Sequence, residues 1–324
     1  MNAAIEAYLA ELEARRFSHS RRAHTARILE RLLIYLREAH SITDWRAVNE
    51  THLRDFAVFA ATRHRSPRGK HITAATLRQW LSIIRTFFAW QCMHGHLLHS
   101  PAARLVLPRG EQPLPHVLNE QDITKLIEKP DIKTAIGLRD RAIMETLYAT
   151  GIRHAEVQRL DLYDIDTAAH RLTVRLGKGQ RDRMVPLTET AAHWLTRYIT
   201  VARPELAAGK LWGKGKRRIK RNRPQSSPTP WATSTPALWL AVNGRRLSYQ
   251  MIADRIRDYA LQAEVKANVH TFRHCCATHL LRAGASVRHV QQLLGHRDLS
   301  TTEIYTRVEI SDLQQAIETA ANRP

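Results

Sequence analysis

Apolar residues recur at helical spacing along the N-terminal third of the chain. They do so in Ile5-Tyr8-Leu9-Leu12, Ile28-Leu32-Tyr35-Leu36, Leu53-Phe56-Phe59-Ala60 and Leu77-Leu81-Ile84-Phe87-Phe88. These runs predict four helices in a small bundle, with Gly69 in a loop and Gly95 at a helix C-terminus. Pro101, Pro108, Pro113 and Pro115 then break the pattern. They divide a helical domain, 1–108, from a linker, 109–118, and a second domain, 119–324. In the second domain Asn119 is placed as an N-cap, and a helix follows over Gly137 to Thr150. The pattern turns to period two in Arg171 to Leu176 and Arg183 to Leu187, where Leu172, Val174 and Leu176 alternate. This predicts a strand pair around Gly177-Lys178-Gly179, with a third strand at Leu238 to Val242. Helices are predicted at about 189–203, 248–263, 271–283, 286–294 and 300–308, the last capped by Ser300, and a final one from Ser311 to Ala321. The expected fold is mostly α with a small antiparallel β-sheet, in two domains.

Charge changes the picture. Across 324 residues, 50 Lys and Arg face 30 Asp and Glu, a net of +20. Such a surplus suits a polyanion, either nucleic acid or an anionic membrane surface. Residues 1–108 carry +8, and Arg21, Arg22, Arg27, Arg31, Arg78 and Arg85 lie on or beside the predicted helices. Such a bundle straddles DNA or simply solvates a basic face. The run Lys210 to Arg223 holds eight basic residues and no acid, inside a proline- and serine-rich insertion at 207–236. That composition cannot bury a core, so it reads as an exposed loop, either a phosphate-contacting arm or a solvated insertion. The rest of the second domain is nearly balanced.

Three cysteines, Cys92, Cys275 and Cys276, rule out a disulfide scaffold and suit a reducing cytosol. The N-terminus shows no apolar signal core, and the uncharged stretch Pro224 to Gly244 is broken by Pro, Ser and Thr. A soluble, cytoplasmic, basic protein without a membrane partner is expected.

Four segments concentrate unusual polar chemistry: Ala149 to Glu156, Gly177-Lys178-Gly179, His270 to Leu281, and Leu294 to His296 with Thr301 to Tyr305. Singly each is ordinary. In order and spacing they resemble the tyrosine recombinase family, also called phage-type integrases, and in particular its Xer-like members. Ala149-Thr-Gly-Ile-Arg153-His-Ala-Glu156 is similar to the family's first arginine box, and Lys178 stands where the family keeps its hairpin lysine. His270-x-x-Arg273-His274, followed by Ala277-Thr278-His279-Leu280-Leu281, is similar to the second box. Leu293-Leu294-Gly295-His296 with Thr301-Thr302-x-x-Tyr305 is similar to the third. The resemblance spans about 115–310, and the N-terminal bundle is similar to a core-binding DNA clamp. The basic run is longer than the usual connection there.

The resemblance implies transesterification at a DNA phosphodiester without cofactor or metal. Arg153 and Arg273 would hold the non-bridging oxygens as bidentate forks, with preorganised charge meeting the transition state. His296 would add a hydrogen bond, Tyr305 would be the nucleophile, and His270 the base that takes its proton. Lys178 would protonate the leaving 5′-oxygen. Glu156 would orient Arg153, and His274 would support the site. The implied partners are double-stranded DNA with inverted-repeat sites and a homotetramer on two such sites, with a partner recombinase or accessory protein as an option. The segment after Tyr305 would dock on a neighbouring protomer. No arm-binding domain is expected ahead of the first helix, and that expectation favours Xer-like or transposon-encoded recombination.

Other readings are a catalytically silent DNA-binding accessory protein of the same fold and a type IB topoisomerase. The complete set of six residues speaks against the first. The helical first domain and the Xer-like third box speak against the second. A zinc site among His270, His274, Cys275, Cys276 and His279 is disfavoured, because adjacent cysteines on a helix point about 100° apart.

Overall fold

In the computed structural model, residues 1–65, 69–108, 116–175, 182–209 and 235–295 are described. Lys178, His296, Tyr305, the basic run 210–223, and the helices expected at 300–308 and 311–321 lie outside them. The chain divides into two compact units, Met1–Pro113 and Leu114–Pro324.

The first unit contains α1 (Asn2–Ala14), α2 (His19–His40), α3 (Glu50–Thr62) and α4 (Ala74–Met93). Polar side chains set their starts. Ser18 accepts from Arg21 N, Thr73 from Thr76 N, and Asn49 and His52 cap each other's backbone amides. Gly95, at φ +71°, turns the chain out of α4. The apolar stripes meet in one core, where Leu29, Leu32, Leu36, Ile84, Phe87 and Phe88 are fully buried. Trp45 packs edge-on against Phe87 and Phe88.

The second unit opens with α5 (Glu120–Ile127), capped by Asn119, and α6 (Ala135–Thr150). After α7 (His154–Arg159) come strands β1 (Ile165–Asp166), β2 (Arg171–Val174) and β3 (Arg183–Pro186). They form an antiparallel sheet in the order β1-β2-β3, with Leu172 opposite Val185 and Val174 opposite Arg183. Leu172, Val174 and Val185 point into the core. The helices α8 (Glu189–Arg197), a π turn (Tyr198–Ala202) and α9 (Arg203–Ala207) run on without a break. The helix expected to stop near 203 therefore continues to Ala207, with Pro204 just after the π turn, where the regular bonding pattern is already interrupted. Then follow α10 (Tyr249–Gln262), α11 (Val269–Arg282) and α12 (Val287–Leu294).

One expectation fails. Leu238 to Val242 is not the third strand, and that place is taken by β1. The segment makes only isolated bridges, from Ala237 to Asp161 and from Leu240 to Arg246. Leu238, Trp239 and Leu240 are fully buried, so their continuous apolar run reflects burial on every side rather than a pleat. Side chains take carbonyls that a ladder would have used. Tyr198 Oη donates to Leu238 O, Arg139 to Leu240 O, and Arg203 to the carbonyls of Thr235, Ala237 and Leu238.

Candidate active site

The site is built around the end of α12. The last carbonyls of a helix have no partner within it and carry partial negative charge. Here three arginines from three elements collect three consecutive ones. Arg183, at the start of β3, donates Nε to Leu293 O (3.4 Å). Arg273, on α11, donates Nη2 to Leu294 O (2.9 Å). Arg153, at the start of α7, donates Nη2 to Gly295 O (3.1 Å). The turn they hold leads directly to position 296.

Two glycines allow this approach. Gly295 takes φ +63°, and a Cβ there would lie 3.0 Å from the Arg183 guanidinium carbon. Gly151 ends α6 at φ +58°, and a Cβ there would lie 2.6 Å from Leu294 and 3.1 Å from Cys276 Sγ. The Gly151 carbonyl in turn accepts from Arg273 Nη1 at 2.5 Å. Arg273 is therefore nearly buried and crosslinks the end of α6 to the end of α12, whereas the Arg153 side chain is 42% exposed.

Glu156 ties the arginines together. Its carboxylate accepts from Arg153 N (2.8 Å) and Arg153 Nη1 (3.1 Å). It also accepts a two-pronged bond from Arg183, Nη1 to Oε1 at 3.1 Å and Nη2 to Oε2 at 2.8 Å. Burial would raise its pKa, but the hydrogen bonds and charges of Arg183 and Arg153 outweigh that and hold it below the usual carboxylate range.

His270 sits exposed in the first turn of α11, where the Asn268 side chain accepts from the His270 and Thr271 amides. His274, one turn on, is held below the usual histidine range by burial and by the charges of His270 and Arg273. His154 stacks on Tyr249 at 3.4 Å, and burial is the main cause that pushes it down to about 4.

The His and Cys residues of α11 do not converge. Cys275 Sγ accepts from Leu118 N, His279 bridges Leu118 O and Tyr148 Oη, and Cys276 packs on Gly151. Burial raises the thiols to about 11 for Cys275 and about 12 for Cys276.

Of the six residues expected at the site, the described part brings together Arg153 and Arg273 on adjacent carbonyls and places His270 on the same helix as Arg273. Sequence reasoning missed Arg183. It stood in the strand pattern as an ordinary first residue, and its partner Glu156 is 27 positions away.

A model of the phage integrase family matches residues 116–311. The chain is 37% identical over 254 residues to tyrosine recombinase XerC 2 of Ralstonia nicotianae, covering 78% of this chain and 66% of that protein. It is 32% identical over 292 residues to tyrosine recombinase XerD of Listeria innocua, covering 88% of each. Among solved structures, a lambda integrase dimer bound to a COC′ core site aligns with a TM-score of 0.66 at 13% identity, covering 94% of each chain. XerH recombinase bound to a palindromic difH substrate aligns with a TM-score of 0.66 at 19% identity, covering 90% of this chain and 78% of that one. These structural likenesses establish the two-domain recombinase fold. On the family match, the extent of identity to the Xer proteins and that fold, the chain belongs to the phage integrase family of tyrosine recombinases.

Proposed function

We propose that the chain is a site-specific DNA recombinase, a strand transferase that cuts and rejoins double-stranded DNA through a 3′-phosphotyrosyl intermediate. The observation that carries this reading is the convergence of Arg153 and Arg273 on the Leu294–Gly295 turn, inside a family match that runs from 116 to 311. Attack on a phosphodiester raises the negative charge on its non-bridging oxygens. Two guanidinium groups already fixed by carbonyls need little reorganisation to meet it. Arg153, the more exposed of the two, is the outer arm of this pair, and Arg273 is the buried inner one.

Tyr305 Oη attacks phosphorus and loses its proton to His270. The bond to the 5′-oxygen breaks, and that oxygen takes a proton from Lys178. The products are a phosphotyrosyl link at the 3′ end and a free 5′-hydroxyl. His296, next after the turn that the arginines hold, donates to the transferring phosphate. Attack by a second 5′-hydroxyl reverses the sequence and reseals a strand, so the link conserves the bond energy and neither metal nor cofactor is required. Recombination joins two sites, which calls for inverted-repeat DNA and four protomers, and this fits the DNA-bound dimers and tetramers among the structural neighbours. No helix among the described residues is long and apolar enough to cross a membrane. A cytoplasmic, nucleoid-associated location accords with a DNA substrate.

Tyr305→Phe tests the reading on nicked suicide substrates carrying the cognate site. It is expected to bind DNA as the wild type does and to form no covalent adduct in denaturing gels. An adduct from the variant removes Tyr305 as nucleophile. A wild type that binds the site yet forms no adduct favours the silent accessory protein.

A further inference from the structure

We infer that Arg183 is a positioning residue for strand cleavage, which acts by occupying Glu156 and so leaving the charge of Arg153 available to the phosphate. The inference rests on the recombinase reading. Arg183 cannot itself present a fork to DNA. Its side chain is 14% exposed, its two terminal nitrogens face the two Glu156 oxygens, and its Nε faces Leu293 O.

Glu156 carries a single negative charge in a buried place, and two guanidinium groups share it. With Arg183 present, the symmetrical fork belongs to Arg183, and Arg153 keeps one 3.1 Å bond from its side chain. If Arg183 is removed, both carboxylate oxygens turn to the remaining cation. Arg153 is then drawn into a tight pair with Glu156, and its field at the phosphate is largely neutralised. Arg183 also backs the Gly295 turn, where an added Cβ would lie 3.0 Å from its guanidinium carbon, so the same side chain braces the turn whose carbonyl Arg153 grips.

The geometry therefore makes an unusual demand. Loss of Arg183 should be relieved by also removing the charge of Glu156, the acid it pairs with. A purely structural ion pair behaves otherwise, because its loss is not repaired in the chemical step alone.

The experiment measures single-turnover cleavage of a suicide substrate at saturating DNA, together with affinity for the same site. Arg183→Gln is expected to slow cleavage by roughly 30-fold or more while affinity changes by less than about 3-fold, a loss confined to the transition state. Glu156→Gln combined with Arg183→Gln is expected to regain about 5-fold or more of that rate, a clear departure from additivity. A substrate with sulfur at the leaving 5′ position needs no general acid. It should restore Lys178→Ala but not Arg183→Gln.

Three results would overturn the inference: an unchanged rate in Arg183→Gln, a double variant no faster than the single one, or restoration by sulfur, which would place the effect on proton transfer. If Arg183→Gln does not fold, Arg183→Lys carries the test, because it keeps the charge but not the two-pronged fork, and roughly a 5-fold loss is expected. Wild-type adduct formation in the same assay separates the two failures, since its absence would count against the recombinase reading itself.

Discussion

Two buried side chains beside the candidate site differ in charge state, one ionised and one neutral, and both states follow from what surrounds them. Glu156 stays ionised because two arginines reach it, and His154 stays neutral because it is 4% exposed and stacked on Tyr249. His154 titrates near 4 in the folded chain against 6.5 for a free histidine, because burial outweighs a favourable backbone contact at Tyr249, with the nearby charge of His270 adding a further depression. Between those values the unfolded chain binds a proton that the native chain refuses. The stability contributed by the neutral ring is therefore complete above about pH 6.5 and falls as pH drops toward 4. His154→Phe, which preserves the stack, is expected to remove about 2–3 kcal/mol of the stability change over that window. Urea unfolding at several pH values checks this, and parallel wild-type and variant curves would refute it. Glu156 works over a lower range, because its folded pKa is depressed. Its contribution is present above the unfolded value and disappears on acidification through the folded one.

At the scale of elements, inward-reaching arginines do what strands would otherwise do. The segment Thr235 to Ala241 enters the core of the second unit at Ala237, beside the π turn. Its backbone acceptors are met by Arg203, Tyr198 and Arg139. Arg203 alone reaches the carbonyls of Thr235, Ala237 and Leu238, at 2.8 to 3.3 Å. It stands shortly before the basic run, and its acceptors stand shortly after, so one guanidinium joins the two ends of that insertion. Arg203→Met keeps the apolar stem and orphans the carbonyls of Thr235 and Ala237, while Leu238 O keeps its bond from Tyr198 Oη. The expected loss is about 2–4 kcal/mol, read as a lower urea midpoint, with a change under about 0.5 kcal/mol counting against the assignment.

Most elements were legible locally. The four N-terminal helices, α6, and the strands flanking Gly177 appear where apolar spacing and caps place them. The third strand was not, because a continuous apolar run is compatible with a strand or with a segment enclosed by side chains. Only the partners of its carbonyls separate the two.

Across the whole molecule, the net charge of +20 falls into distinct shares, with +8 in residues 1–108 and eight uncompensated cations between 210 and 223. In the first unit, part of that charge is already engaged. Arg31 lies 5.0 Å over the Trp80 ring, Arg22 pairs with Glu13, and Arg78 donates to Pro108 O. The basic run holds no acid of its own. Deletion of 210–223 is therefore expected to flatten the plot of log affinity against log salt by about 0.9 for every phosphate the run neutralises. Cleavage at saturating DNA should be retained. An unchanged slope would make the run a solvated insertion.

By itself the sequence determined the family, the order of the boxes and the helical character of both units, and it put Arg153, His270 and Arg273 forward as candidates, because each is written in local spacing or in a run of neighbours. The tertiary structure decided how those residues are held. The sharing of Glu156 between Arg153 and Arg183, the three carbonyls collected at the end of α12, and the glycines that admit them join positions 151, 156, 183, 273 and 295. No local pattern links residues so far apart. Their contact exists only once the packed core brings the end of α6, the start of α7, β3, α11 and the last turn of α12 to the same place.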